Sequence, residues 1–187
     1  MSRLTTVVLC ACLASAPEFV SAQRVSQLGH AIVQFTSPDV KAVAAYEYSR
    51  RNHGGEWLLV EMAVQASKRI AIERAQISLL TSDEQTIPLA SQQEFLDGHT
   101  MLNALLQNAK IWRRSLESYF TVRPEPTIRF FTYPGRNVYD SFVTNPDETA
   151  AGDLLFRAAA GSSWRSGSYR LVVNHPDAKA ELPIQLD

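Results

Sequence analysis

The fold class is indicated most clearly by the stretch Trp57-Leu58-Leu59-Val60-Glu61-Met62-Ala63-Val64-Gln65. The apolar residues at positions 58, 60, 62 and 64 fall on one face of an extended chain, while Glu61 and Gln65 fall on the other. A repeat of two residues is typical of a β-strand with one buried face. The stretch therefore predicts a half-buried strand.

Similar short segments recur along most of the chain, with turn-forming residues between them. The predicted strands cover residues 31–36, 43–48, 57–65, 70–80, 86–89, 128–133, 138–143, 153–158, 168–173 and 181–186. Arg50-Arg51-Asn52-His53-Gly54-Gly55 predicts a hairpin loop before the strand at 57–65. Pro88 cannot donate to a strand ladder and should lie at an edge, and Pro134-Gly135 matches the centre of a type II turn. Many short strands joined by turns favour a β-sandwich.

One segment has the repeat of a helix. Its apolar residues recur at spacings of three and four, at Leu102, Leu105, Leu106, Ala109, Trp112 and Leu116. Thr100 is a suitable N-cap, and Pro124 and Pro126 end any helical continuation. We therefore expect an inserted amphipathic helix over residues 100–120, with its apolar stripe docked on the sheets.

A pattern near the end of the chain carries a resemblance. Gly167-Ser168-Tyr169-Arg170-Leu171-Val172-Val173, followed by a turn and a last strand, resembles the final strands of immunoglobulin-like β-sandwiches. In that superfamily a tyrosine near the start of the penultimate strand closes a tyrosine corner. Tyr169 and Leu171 should then share the core-facing side of this strand. The resemblance implies an architecture, an immunoglobulin-like β-sandwich with an inserted α-helix, and it implies no activity.

The first residues predict export. Met1-Ser2-Arg3 places one positive charge before an apolar run over residues 4–16, the pattern of a signal peptide. Val20-Ser21-Ala22 supplies small residues for signal peptidase, whereas Pro17 disfavours the earlier site at 14–16. We therefore predict a signal peptide over residues 1–22, cleavage after Ala22, and a single mature domain over residues 23–187. The alternatives are an uncleaved anchor and lipid attachment at Cys12.

Cysteine usage and charge narrow the location and the partners. Both cysteines, Cys10 and Cys12, lie in the predicted signal peptide, and the chain has no Asn-x-Ser/Thr sequon. An exported domain of this kind is more typical of a bacterial periplasm than of a eukaryotic surface. The formal net charge is −1, so no overall field attracts nucleic acid, and a charged partner must be met by a local patch. We predict a periplasmic or secreted protein that does not bind nucleic acid.

The sequence predicts no catalytic site, no metal site and no cofactor. The cluster Gly161-Ser162-Ser163-Trp164-Arg165-Ser166-Gly167 lacks the Gly-x-Ser-x-Gly order of a nucleophile elbow. His175-Pro176-Asp177 offers two potential metal ligands, but Asn-His-Pro-Asp is good turn chemistry and predicts a turn. A Ser/His/Asp triad assembled from distant residues stays open, because geometry and not spacing defines a triad.

Two basic groups are candidates for binding a partner. Lys110, Arg113 and Arg114 recur at helical spacing near the end of the predicted helix. There they would face solvent, either as a solvated face or as a docking site for an acidic partner or a lipid headgroup. Arg50 and Arg51 lie at the predicted hairpin tip, which is either a polar loop or a recognition loop.

Aromatic residues form the third candidate group. Most of those between positions 130 and 142 should be core, because aromatic side chains favour strands and half of each strand points inward; they are Phe130, Phe131, Tyr133, Tyr139 and Phe142. Trp164 lies in the Ser/Gly loop. It either plugs one end of the sandwich or presents a stacking surface to a sugar or peptide.

These observations favour a non-catalytic binding module, such as a subunit of an envelope assembly, whose partner is another envelope or extracellular protein. Two alternatives belong to other classes. One is an exported hydrolase with a dispersed Ser/His/Asp triad. The other is an accessory protein of the membrane surface that uses the basic helix.

Overall fold

The computed structural model describes residues 23–187, which form a mainly β protein with several sheets. The largest sheet has six strands, in the order β1 (Arg24–Gln27), β2 (Ile32–Thr36), β3 (Val40–Ala45), β4 (Trp57–Ala66), β10 (Thr149–Arg157) and β8 (Pro124–Ile128). A second sheet has the order β12 (Ala178–Leu186), β11 (Gly167–His175), β6 (Ile77–Leu80) and β7 (Thr86–Pro88). A separate pair consists of β5 (Ile70–Glu73) and β9 (Ser141–Thr144). The predicted signal peptide lies outside the described residues.

The six-stranded sheet has a different cover on each face. We call the side that carries Val60 and Leu154 the inner face, and the side that carries Leu59 and Leu155 the outer face. The inner face packs against the four-stranded sheet in one apolar core, in which β12 contacts β2 and β3. Strand β12 alternates strictly between buried and exposed residues, which is the pattern of a strand with one face on a core.

The outer face is covered by helices and by the chain that follows them. The helices are α1 (Glu47–Arg51), α2 (Gln92–Asp97) and α3 (His99–Ala109), and short 3-10 turns occur at Arg74–Gln76 and Glu117–Tyr119. Helix α2 begins at a capping box, in which the Ser91 hydroxyl accepts from the Glu94 N–H and the Glu94 carboxylate accepts from the Ser91 N–H. Leu102 of α3 is fully buried in the cluster that contains Leu59 and Leu155. The apolar stripe of the inserted helix therefore docks on the sheet.

Strand β4 is buried on both faces, so the expectation of a half-buried strand is wrong. Val60 and Met62 lie in the inner core, while Trp57 and Leu59 pack under the helices. Glu61 and Gln65 are the polar exceptions on the outer face, and both are half-buried. The sequence pattern misled because an outer face covered by helices leaves only a few polar positions in its strands.

The inserted helix is shorter than predicted. Helix α3 covers His99–Ala109, with Gly98 and not Thr100 at its N-cap, and the chain then turns at residues 110–112. Ala109 belongs to the cluster over Leu59, whereas Leu116 belongs to a different cluster over Val43 and Ala63. The chain must cross the sheet between these two clusters, so tertiary packing ends the helix although the apolar spacing continues.

Three other predicted segments differ from the structure. Residues 70–80 are two strands in different sheets, because the 3-10 turn at Arg74–Gln76 redirects the chain between β5 and β6. Strand β3 ends at Ala45, and the expected hairpin tip at Arg50 is helix α1. The strand expected at 128–133 lies earlier, at Pro124–Ile128, where it pairs in parallel with β10.

Several turn and edge predictions are confirmed. Pro88 lies on β7, the edge strand of the four-stranded sheet. Gly135 has a φ of 85°, and the Tyr133 carbonyl accepts from the Arg136 N–H, as a type II turn requires. His175-Pro176-Asp177 forms the turn between β11 and β12, where the Asp177 N–H donates to His175 Nδ1.

Candidate functional site

The basic residues predicted on the helix end up on the turn that follows it. We call the segment Lys110-Ile111-Trp112-Arg113-Arg114 the 110–114 turn. Its backbone leaves α3 through bonds from the Ile111 N–H to the Asn108 carbonyl and from the Trp112 N–H to the Ala109 carbonyl. The three cations therefore do not share a helical face, and their surroundings differ.

Arg113 is not free to meet a partner, so that expectation is wrong. Its Nη2 lies 2.5 Å from Asp153 Oδ2 and its Nε lies 3.5 Å from Glu61 Oε1. These two carboxylates face each other across β4 and β10 on the outer face of the sheet. Burial lowers the pKa of Arg113, but the carboxylates of Asp153 and Glu61 raise it by more, so the net shift is upward. Arg113 anchors the turn to the sheet.

Glu61 is the most perturbed carboxyl group at this anchor. Burial raises its pKa from the ordinary 4.5 to about 7, with Arg113 opposing the shift and Asp153 adding to it. The side chain is 18% exposed. Sequence analysis placed Glu61 on the polar face of β4 but could not show that Asp153 lies opposite, because the pairing joins distant parts of the chain.

The turn exposes two apolar side chains that sequence analysis did not select. Ile111 is 84% exposed and Trp112 is 39% exposed. Both follow Ala109, the last residue of α3. The expectation that Trp112 belongs to the buried apolar stripe of the helix is therefore wrong. Lys110 and Arg114 are exposed at either end, and Lys110 Nζ donates to Gln107 Oε1 at 3.0 Å. The turn therefore presents an apolar pair between two cations.

The carboxylates nearest the turn are all paired with arginines. No Asp or Glu occurs between Asp97 and Glu117 in the sequence. Glu117, the next carboxylate, is paired with Arg123 Nε at 3.0 Å. The carboxylates beneath the turn, Glu61 and Asp153, are the partners of Arg113. Neither Lys110 nor Arg114 takes part in these pairs, and with them the cations here outnumber the carboxylates, so the turn keeps positive charge for an external anionic group.

Arg50 is engaged within the protein. Its Nε lies 3.0 Å from Asp187 Oδ1, and its side chain is 17% exposed. The Asp187 N–H also donates to the Arg50 carbonyl. Arg50 therefore fixes α1 to the residue after β12, whereas Arg51 is exposed at the end of α1. The expected docking loop is reduced to Arg51.

Trp164 is buried and closes one end of the sheets. It is 5% exposed, and its Nε1 donates to the Glu56 carbonyl at 3.1 Å. Its ring meets the Tyr169 ring edge-on with 5.5 Å between centroids. Tyr169 Oη in turn donates to the Arg165 carbonyl at 3.0 Å. The stacking surface proposed for Trp164 is therefore not available, and the plug interpretation fits.

The aromatic residues near β9 divide between core and surface. Phe130 and Phe142 are buried with 5.8 Å between their centroids. The Arg74 guanidinium lies over the Phe131 ring at 4.7 Å and donates to the Phe130 carbonyl at 2.8 Å. Burial lowers the pKa of Arg74. Arg74 thus supports the loop at 129–139 from below.

The same loop borders a cavity of about 710 Å³. Arg129, Arg136, Tyr133 and Tyr139 line it, and both tyrosines are exposed. Two guanidinium groups beside two aromatic faces suit a planar anionic ligand. Both arginines are exposed to solvent, as Lys110 and Arg114 are, so salt screens the cations of either surface and exposure does not distinguish the two. The 110–114 turn, with its anchored base, is the better defined surface.

One serine and one histidine come together. His53 Nε2 lies 3.3 Å from Ser166 Oγ, but His53 Nδ1 faces the Arg50 carbonyl and not a carboxylate. The Ser166 hydroxyl donates to the backbone oxygen of Asp187. A triad needs a base oriented by a third group and a hydroxyl that donates to that base. The pair is therefore better suited to closing this end of the domain than to nucleophilic attack.

Residues 23–187 contain neither a group of metal-ligating side chains nor a membrane-spanning helix. In that range no three His, Cys, Asp or Glu side chains are grouped so as to hold a metal ion. None of its helices has the length and apolar composition needed to cross a membrane. Comparisons with models of protein families, with curated proteins and with solved structures find no match for this chain.

Proposed function

We propose that the protein is an exported, non-catalytic interaction module that docks through the 110–114 turn. The observation that carries this proposal is the exposure of Ile111 and Trp112 between Lys110 and Arg114. Large apolar side chains at the centre of a contact, with charges at its rim, are the usual anatomy of a binding surface. The predicted signal peptide over residues 1–22 supports the exported location.

A rigid base supports the docking role. Helix α3 is held by buried Leu102 on one side of the turn, and Leu116 is buried on the other. Between them Arg113 pairs with both Asp153 and Glu61. A surface that is already ordered loses little conformational entropy on binding, so more of the contact energy is retained as affinity.

We also propose that the two facing sheets are an immunoglobulin-like β-sandwich with an inserted helical layer. Support comes from the bond between Tyr169 Oη and the Arg165 carbonyl, which has the form of a tyrosine corner. The buried alternation of β12 and the shared core between the sheets also fit. A crystal structure in which the two sheets do not pack face to face would contradict this proposal.

Co-sedimentation with the envelope fraction of cells that produce the protein tests the docking surface. We expect the wild type to bind and the double variant Ile111→Ser, Trp112→Ser to bind about tenfold or more weakly, because one apolar contact of this size corresponds to at least that factor. The matched control is Val25→Ser, Leu28→Ser, which removes two exposed apolar side chains from another part of the surface. Equal binding by all three proteins would show that the turn is not the docking surface.

The hydrolase alternative is tested at the hydroxyl–imidazole pair Ser166 and His53. We expect no difference between wild type and Ser166→Ala in a screen of ester, glycoside and peptide substrates, because the hydroxyl donates to Asp187 and not to the histidine. Turnover that is present in the wild type and absent in Ser166→Ala would reverse this conclusion and make the protein an enzyme.

A further inference from the structure

We infer that the surface contacted by the 110–114 turn is an anionic lipid bilayer, with Ile111 and Trp112 inserted at the boundary between headgroups and acyl chains. This inference rests on the proposed docking function and names the partner.

The exposed side chains match the chemistry of a bilayer interface. An indole ring has an apolar body and one N–H donor, and tryptophan concentrates where one end of a side chain is wet and the other is apolar. Trp112 is the exposed tryptophan of residues 23–187, since Trp57 is 2% and Trp164 is 5% exposed. Ile111 beside it is wholly apolar. Lys110 and Arg114 flank the pair, where long cationic side chains reach phosphate groups.

The local charge favours an anionic surface although the whole protein has a formal net charge of −1. The segment between Asp97 and Glu117 contains three basic residues and no acidic ones. Arg113 offsets one of the two carboxylate charges beneath it, and Arg123 pairs with Glu117. Together with Lys110 and Arg114, the four cations outnumber the three carboxylates, so the patch stays positive. The attraction to anionic headgroups is thus local, which agrees with the expectation from sequence that a charged partner is met by a patch.

The shape of the turn favours a bilayer over a folded protein partner. Ile111 is 84% exposed, so it stands out from the surface and does not line a groove. A protruding apolar side chain needs a shaped pocket in a protein partner. A fluid acyl boundary accommodates it without one, and a few buried apolar side chains together with electrostatic attraction give reversible binding.

Protein-free vesicles test the inference. Intact-mass measurement first establishes whether the protein begins at Gln23, and every variant is compared in the same processed form. Vesicles of phosphatidylethanolamine and phosphatidylglycerol are compared with vesicles of phosphatidylcholine alone. We expect binding to the anionic vesicles that weakens about tenfold or more when salt is raised from about 0.1 M to 0.5 M, because screening reduces attraction to the headgroups.

Tryptophan fluorescence locates the contact. Trp57 and Trp164 are buried, so a blue shift of emission, and quenching by brominated acyl chains, report on Trp112. Both signals should vanish in Trp112→Phe, which keeps an apolar ring and should still bind. Ile111→Ser, Trp112→Ser should lose binding about tenfold or more, whereas Val25→Ser, Leu28→Ser should bind as the wild type does.

The outcomes separate this inference from the proposed function. If anionic vesicles are not bound, or are bound equally well by Ile111→Ser, Trp112→Ser, the bilayer is not the partner. Should the envelope fraction still bind through Ile111 and Trp112 in that case, the docking function stands and its partner is a protein. If neither vesicles nor envelope depend on the turn, both proposals are wrong.

Discussion

The two faces of the six-stranded sheet are made by the same strands but are covered differently. On the inner face, Val60 and Leu154 meet the four-stranded sheet in a continuous apolar core. On the outer face, Glu61 and Asp153 interrupt the apolar surface and hold Arg113. The inner face is apolar, as expected of a surface that is buried in the core. The outer face has the charges, and the candidate docking surface is attached to them.

This difference indicates where function and stability are separated. Small alanines on β3 and large residues on β4 fill the inner core without ion pairs. The helical layer on the outer face instead ends in the 110–114 turn, where apolar residues remain exposed. Substitutions on the inner face should therefore change the free energy of unfolding, while those of the exposed residues Ile111 and Trp112 should change binding alone.

The largest expected effect belongs to the core between the inner face and the four-stranded sheet. Leu171 is fully buried on β11, and Leu171→Ala should reduce the free energy of unfolding by about 2–5 kcal/mol, because it removes apolar contacts and leaves a cavity. Denaturant melts measure this. Ile111→Ala on the turn is the control and should change stability by less than about 0.5 kcal/mol. Similar losses in both variants would mean that the contrast between the two regions is wrong.

The next effect tests how the parallel strand closes the same face. A Cβ at residue 152 would lie 2.4 Å from the Ile128 carbonyl oxygen and 2.7 Å from Ile128 Cβ. The register of β8 against β10 shifts between Ala150 and Gly152, where Ile128 comes close to the backbone of β10. Only glycine, which has no Cβ, leaves room for this approach. Gly152→Ala should cost about 3 kcal/mol, because backbone has to move. Gly29→Ala, where nothing lies within 4 Å, is the matched control for adding a methyl group.

The parts of the fold that sequence predicts well are those set by neighbours along the chain. The alternation of β12, the edge position of Pro88 and the turn at Gly135 depend on a few adjacent residues. The inserted helix was also predicted in place, although α3 ends at Ala109. Its end could not be predicted, because it depends on which cluster Leu116 joins across the sheet.

The candidate site was predicted only in part. The segment from Lys110 to Arg114 was selected for its charges, and that selection includes the residues that we propose for binding. The role of Arg113 was missed because its partners, Glu61 and Asp153, are distant in sequence and meet only through the pairing of β4 with β10. The exposure of Ile111 was missed because spacing alone cannot show where the helix stops.

A smaller effect should come from Glu61 and depend on pH. Its pKa is raised by burial to about 7, so the folded protein keeps a proton that the unfolded chain releases above about 4.5. Stability associated with this group is therefore present at low pH and is lost as pH rises through 7. We expect wild type to lose about 2 kcal/mol relative to Glu61→Gln between about pH 5 and pH 8, measured by denaturant melts. The control variant is Glu125→Gln, which removes an exposed carboxylate from β8 and should follow the wild type. A difference in stability between wild type and Glu61→Gln that stays constant with pH would contradict the prediction.

The smallest effect compares two neighbouring arginines of the 110–114 turn. Arg113 pairs with Asp153 at 2.5 Å and with Glu61 at 3.5 Å, and its side chain is 39% exposed. Because solvent screens a pair this exposed, Arg113→Ala should cost only about 1 kcal/mol at about pH 8, where Glu61 is charged. The cost should shrink near pH 5, where Glu61 is protonated and no longer attracts Arg113. Arg114→Ala removes an exposed cation and should leave stability within about 0.5 kcal/mol at either pH. If the two variants have equal stability at pH 8, Arg113 does not anchor the turn to the outer face of the sheet.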